Sequence, residues 1–228
     1  MTTVVQCGMP DEFRVLTTMF GTGTLVLNGS DKFYLSNRDV LPAACTRLVC
    51  MGVAGGLSPD LVVPDVAVAS TVVDHAGDTA SADAAWNARA VAALTASGIV
   101  PHVVPYYSSG LFDEADTADQ RAAMYKKYGA HAIDDETRYV VAEAARRGIP
   151  FNVVRPLSDD YRDTLPLMAR GKIMNPDGST NLAFLLSALG QDQGAGSESV
   201  FTVADHYRQS ITALEAVAKA LANLVGES

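Results

Sequence analysis

The chain is short of positive charge: 17 Lys and Arg stand against 26 Asp and Glu, a formal net charge of -9 over 228 residues. Nucleic acids and anionic membranes are bound through broad basic faces, so both are excluded as principal partners and a small-molecule ligand is expected instead. Cysteine is also scarce. Cys7, Cys45 and Cys50 form an odd set with neither a paired framework nor zinc-ribbon spacing. No basic stretch followed by an apolar signal core opens the chain, and a reducing cytoplasm is the expected compartment. The longest apolar stretch, Leu61 to Val73, is interrupted by Pro64, Asp65 and Ser70. It therefore falls short of the roughly 20 residues a spanning helix needs, and no membrane span is expected. The histidines at 75, 102, 131 and 206 lack HExxH-type spacing, which argues against a catalytic metal. The GxGxxG fingerprint, the GxxxxGK[ST] phosphate loop and the G-x-S-x-G nucleophile elbow are all missing, the last even around Ser108-Ser109-Gly110.

What remains reads as one α/β domain over residues 1–228, since no shift in composition marks a linker. Short β-type runs occur at Thr3 to Gln6, Thr24 to Leu27, Arg47 to Met51, Val62 to Ala69, Val100 to Val104 and Phe151 to Val154. Helical patterns lie between several of them, which predicts a twisted, mixed but largely parallel central sheet flanked by helices. Asp135 to Arg147 carries Val140, Val141, Ala144 and Ala145 at helical spacing, starts acidic, ends basic and stops at Gly148 before Pro150. Ile211, Leu214, Val217, Leu221, Leu224 and Val225 form an apolar stripe over about four turns, expected to serve packing. Asp74 to Asp83, Asn175 to Ser179 and Gln191 to Ser199 read as loops, and Gly21-Thr22-Gly23 as a hairpin turn.

Three places stand out because an apolar, β-branched run there gives way to polar residues, where open α/β sheets gather ligand groups. The first is Gly52-Val53-Ala54-Gly55-Gly56-Leu57 after Leu48 to Met51. Its glycines, Gly55 among them, permit a tight exit from a strand or let backbone approach a ligand closely. The second is Asp134-Asp135-Glu136, acids leaving a strand and opening a helix. Helix capping explains one or two of them, while a strand-end carboxylate such as Glu136 can also accept two hydrogen bonds from the vicinal hydroxyls of a ribose. The third is Arg155-Pro156-Leu157-Ser158-Asp159. Asp159 is either a cap or, if partly desolvated, a proton donor near neutral pH, and Asp160 competes for either role. Glu12, two residues after Pro10, is an ordinary acid for the first turn of a helix.

Together Gly8-Met9-Pro10-Asp11-Glu12, Gly52 to Leu57, Ala132 to Thr137 and Val154 to Asp159 occur in an order that resembles the purine nucleoside phosphorylase and nucleosidase superfamily. That superfamily includes the methylthioadenosine/adenosylhomocysteine nucleosidases. The stretch Leu165 to Leu189, with Asn175-Pro176-Asp177-Gly178, looks most like its hopanoid-associated phosphorylase branch. The resemblance implies cleavage of a bond between a ribosyl carbon and a nucleobase. It implies that Asp159 protonates or hydrogen-bonds N7 of a purine leaving group, with Arg155 and Ser158 positioning it. It further implies that Glu136 holds the ribose hydroxyls, Met9 lines the sugar site, Phe112 stacks on the base and Glu12 activates water.

Some positions depart from the family pattern. Val53 stands where many relatives carry a Ser or Thr that contacts phosphate or water, and a valine side chain donates no hydrogen bond. Cys50 lies near where phosphorylases of the family hold an arginine, Asp135 replaces a ribose-packing methionine, and Leu35-Ser36-Asn37-Arg38 replaces a glycine-rich step. Hydrolysis is therefore expected ahead of phosphorolysis. Inorganic phosphate, held by Arg38 or Arg14, is the alternative co-substrate, and a nucleoside-binding protein without chemistry is the third reading. No other cofactor is expected. Relatives assemble as dimers or hexamers, so a homo-oligomer is implied.

Overall fold

A computed structural model describes residues 2–28, 41–109, 115–165 and 196–226 of the chain. In chain order the strands are β1 (Thr2–Cys7), β2 (Leu25–Asn28), β3 (Cys45–Met51), β4 (Ala54–Gly56), β5 (Val66–Asp74), β6 (Thr79–Ser81), β7 (Pro101–Ser108), β8 (Ala132–Asp134) and β9 (Phe151–Asp159). The helices are α1 (Pro10–Phe20), α2 (Ala84–Ala96), α3 (Ala118–Tyr128), α4 (Thr137–Arg147) and α5 (Gly196–Gly226). The strands form one sheet in the order β2-β1-β3-β9-β4-β8-β7-β5-β6, and β9 also pairs with β5. Most pairings are parallel. The antiparallel ones are β4 with β8, β5 with β6 and β5 with β9. This is the α/β architecture with a mixed, largely parallel sheet that the alternation of runs predicts.

β9 is the pivot. Phe151 to Val154 runs parallel to β3, Val154 to Pro156 pairs antiparallel with β5, and Leu157 and Asp159 pair with Ala54 and Gly55 of β4. One strand thereby closes β9, β4, β8, β7 and β5 into a ring and carries its own C-terminal end to the glycine-rich segment. Side chains alternate across the sheet, so Val4, Leu48 and Val153 enter a core under α4, while Val5, Val49 and Val154 enter one covered by α1, α2 and α5. The predicted C-terminal stripe packs in the second core through Leu214, Val217, Leu221, Leu224 and Val225, with Ile211 at its edge.

Differences from the expectations have local causes. β5 begins at Val66, not Val62, because Asp65 closes a turn with Val62, accepting from its amide at 3.0 Å. β7 tolerates Pro105 because the register slips there, leaving Ser70 as the extra residue opposite a position with no N–H. Gly21-Thr22-Gly23 is a 3-10 turn, not a hairpin, since β2 runs parallel to β1. Asp74 to Asp83 is not a plain loop. It turns at Gly77 (φ 88°) and returns as the edge strand β6, pinned where Asp74 Oδ1 accepts from the amides of Ala76 and Asp78. Gly196 to Ser199 belongs to α5, while residues 191–195 and Asn175 to Ser179 lie outside the described residues.

α2 and α3 escape the apolar patterns because their faces are alanine-rich or polar. Their caps are nonetheless clear: Asp83 accepts from the amides of Ala85 and Trp86, and Thr117 forms a capping box with Gln120. α4 ends as its sequence requires, at Gly148 in the left-handed region (φ 65°).

Candidate active site

The C-terminal ends of β1, β3, β8 and β9 converge, and the segment 52–56 runs through the middle of the convergence. Its residues meet the candidate side chains one after another. Val53 N donates to Glu12 Oε1 (2.7 Å) and Val53 O accepts from Arg155 Nη1 (2.7 Å). Ala54 O lies 3.2 Å from Ser158 Oγ, Gly55 lies against the Asp159 carboxylate, and Gly56 O accepts from Arg121 Nη1 (3.0 Å). At about 3.3 Å of extended chain per residue, Val53 and Gly55 stand about 6.6 Å apart. Glu12 and Asp159 are thereby placed along one short backbone stretch.

Glu12 reaches back from the first turn of α1. Its Oε2 accepts from the amides of Gly8 (2.8 Å) and Met9 (2.9 Å), so it stitches the end of β1 to the end of β3. A Cβ on Gly52 would lie 2.7 Å from Glu12 Oε1, and one on Gly8 would lie 2.3 Å from Glu136 Oε1. Both positions must be glycine for these carboxylates to sit where they do. Burial pushes the Glu12 carboxyl above the ordinary range, against the opposing pull of Arg155 and three amide donors.

Glu136 follows β8. Its Oε2 meets Arg155 Nη2 at 3.1 Å, and 19% of its side chain stays exposed, enough for a ligand hydroxyl to reach it. Burial raises its carboxyl to about 8; Arg155 opposes the shift, and Asp134, Asp135 and Glu12 reinforce it. A folded carboxyl that holds its proton above the unfolded value, near 4.5, makes unfolding release a proton between those limits. Stability due to Glu136 is full below pH 4.5 and is lost as pH rises toward 8. Melting temperature should therefore fall from pH 5.5 to 8.5, and the fall should flatten in Glu136→Gln; a slope of the opposite sign would contradict this reading of the site.

Asp134 is the residue that sequence reasoning undervalued. It supplies the expected cap, accepting from Thr137 N (2.9 Å), but it also accepts from Tyr106 Oη (3.1 Å) and Ser108 Oγ (3.0 Å). Arg155 Nε lies 2.9 Å from its Oδ2, an ion-pair contact off the line of the N–H. Arg155 is thus fully buried beneath Glu136, with Cys50 Sγ at 3.1 Å below. Burial pushes the Cys50 thiol up to about 12, so it stays protonated.

The expectation that Arg155 positions Asp159 is corrected: its guanidinium is committed to Asp134, Glu136 and Val53. Asp159 Oδ2 accepts from Ser158 Oγ (2.7 Å) as expected, whereas its cation is Arg121 of α3, paired with Oδ1. Nothing in the sequence of α3 separates Arg121 from a solvated charge. The competitor Asp160 caps a turn instead, accepting from Arg162 N (2.7 Å). Asp135 is exposed and accepts from Ser109 Oγ. Met9 is half-buried at the N-cap of α1, and Val53 is buried. Arg14, one of the two candidate phosphate ligands, is exposed on α1 and paired with Asp11 (3.0 Å). Arg38, Phe112, Leu35 to Asn37 and all but the first residue of Leu165 to Leu189 lie outside the described residues. Among the described residues, no three His, Cys, Asp or Glu side chains are grouped to hold a metal ion, and no helix is long and apolar enough to cross a membrane.

Residues 34–222 match the family described as the phosphorylase superfamily. Solved structures share the fold. The 5′-methylthioadenosine/S-adenosylhomocysteine nucleosidase of Neisseria meningitidis, in complex with methylthio-immucillin-A, matches with a TM-score of 0.68 at 15% identity, over 98% of this chain and 100% of that one. A mutant of the Helicobacter pylori nucleosidase MTAN with 5′-methylthioadenosine in its active site matches at 0.63 and 17% identity, over 83% and 98%. A mutant of Helicobacter pylori futalosine hydrolase matches at 0.62 and 17% identity, over 90% and 99%. No curated protein matches the sequence.

Proposed function

The chain belongs to the phosphorylase superfamily, and on that premise we propose that it hydrolyses the N-glycosidic bond of a purine-type nucleoside. The observation that carries the reading is the array of carboxylates along 52–56: Glu12 at Val53, Asp159 at Gly55, and Glu136 across Gly8. Cleavage of a ribosyl bond passes through an oxocarbenium-like state, which needs a neutralised leaving base and a held sugar. In its protonated form Asp159 delivers the proton to N7 as the C1′–N9 pair departs with the base, and it regains a proton from solvent once the base has left. Glu136 accepts from the ribose hydroxyls, with Arg155 behind it. Glu12 takes the proton of the water that adds to C1′, and burial makes it a stronger base than an ordinary carboxylate.

Water is the acceptor this site favours over phosphate. Val53 offers no side-chain donor, and Arg14 is exposed and already paired with Asp11. The test is to incubate the protein with a nucleoside panel, with and without phosphate, and to separate the sugar products. Free ribose in amounts independent of phosphate is expected. Ribose 1-phosphate formed only with phosphate would reverse the acceptor, and melting shifts without product would leave binding alone.

A further inference from the structure

We infer that Asp134 is a positioning residue for the sugar site: by holding Arg155 and balancing its charge it leaves Glu136 protonated in the free protein, so that Glu136 gives up a proton when it accepts from a pair of sugar hydroxyls; this rests on the reading above of Glu136 as the sugar ligand. One buried cation stands between two carboxyl groups. Arg155 Nε lies 2.9 Å from Asp134 Oδ2, and its Nη2 lies 3.1 Å from Glu136 Oε2. A single guanidinium balances the charge of one of them, and the other is left to ionise at a cost or to keep its proton.

Hydrogen bonding decides which is which. Asp134 accepts from Thr137 N (2.9 Å), Ser108 Oγ (3.0 Å), Tyr106 Oη (3.1 Å) and Thr137 Oγ1. Four donors fill the lone-pair sites of a carboxylate and favour its charged form. Glu136 has a single hydrogen-bond partner among the described residues, Arg155 itself. The other groups that face it are Asp134 at the end of β8, its neighbour Asp135, Glu12 of α1 and Cys7 of β1, a thiol that burial keeps protonated. Cys50 of β3 and Tyr106 of β7, beside Arg155 and Asp134, are kept protonated by burial as well. Arg155 is the one cation in this set, and Asp134 already balances it. The Glu136 carboxyl accordingly keeps its proton up to about 8.

A vicinal diol changes this balance. Two hydroxyl donors favour the ionised form of Glu136, as four donors favour that of Asp134, and positive charge developing at C1′ favours it further. The O–H bond of the carboxyl breaks, its electron pair stays on the carboxylate oxygen, and the proton passes to solvent at the exposed part of the side chain. With Asp134 uncharged, Arg155 would hold Glu136 ionised before any sugar arrived, and sugar binding would release no proton from it.

The carbonyl stretch of the protonated Glu136 carboxyl, identified in infrared spectra by its absence from Glu136→Gln, follows this proton directly. In the parent it should titrate near pH 8. Formycin A, a C-nucleoside with no N-glycosidic bond to cleave, should abolish it at pH 7. In Asp134→Asn the midpoint should fall by about 1–3 pH units, and in Asp134→Asn/Arg155→Met it should return to near that of the parent. A merely structural aspartate, whose loss only admits water, would leave the midpoint low in the double variant too. That outcome, an unmoved midpoint in Asp134→Asn, a parent Glu136 ionised throughout pH 5.5 to 8.5, or a band that persists with formycin A bound would each overturn the inference. The parent and the double variant decide it even if Asp134→Asn does not fold. Failure of formycin A to bind, with the midpoints as expected, would remove the nucleoside reading while leaving the role of Asp134 toward Glu136 in place.

Discussion

Asp159→Asn should lower kcat by about 10²- to 10⁴-fold while nucleoside binding stays measurable, the range a positioned general acid contributes. The substitution keeps the shape of the side chain but removes its charge, one acceptor oxygen and its ability to give up a proton. Ser158 Oγ and Arg121 Nη2 both donate toward the present carboxylate. An amide can accept from one of them, but its NH2 must face the other, so some loss of order at the end of β9 is expected. Single-turnover measurement separates the effects, because disorder would weaken binding as well as chemistry. Equal turnover by Asp159→Asn and the parent on the best nucleoside would take Asp159 out of the mechanism.

The largest loss of stability is expected for Arg155→Leu, about 3–5 kcal/mol, the cost of leaving a buried charge without its partner. Arg155 is 1% exposed and lies at 2.9 Å from Asp134 and 3.1 Å from Glu136. Leucine fills much of the space and compensates no charge. Asp134 would keep Thr137, Tyr106 and Ser108 as donors, but those are dipoles. Glu136 would lose the charge that opposes the rise of its carboxyl and would bind its proton more firmly still. Urea denaturation followed at pH 6 and pH 8 checks both points, with the deficit larger at pH 8. A loss below about 1 kcal/mol at both values would mean that solvent, not Arg155, balances the cluster.

The elements that were legible share a property: their signal is local. β1, β3, the start of β9, α4 and the stripe of α5 each carry enough consecutive residues to show a period or a cap. β4 and β8 span three residues each and have no period to show. They exist because β9 runs on past Val154 and offers its last residues to β4, which in turn pairs with β8.

The carboxylates of the candidate site were also legible, since each stands where an apolar run ends in polar residues, and their order along the chain carried the family resemblance. Their partners were not. The family resemblance assigns Arg155 to Asp159, four residues away on its own strand, whereas the structure gives it to Asp134 and Glu136 across the sheet. Asp159 instead receives Arg121, 38 positions earlier and from a helix whose composition looks solvated. By itself the sequence determined the α/β class, the strand ends where ligand groups gather and the acids placed there, because periodicity and turn chemistry act over neighbouring residues. Only the tertiary structure decided which cation meets which acid, because ion pairing depends on distances in space that the crossing of β9 beneath the glycine segment creates.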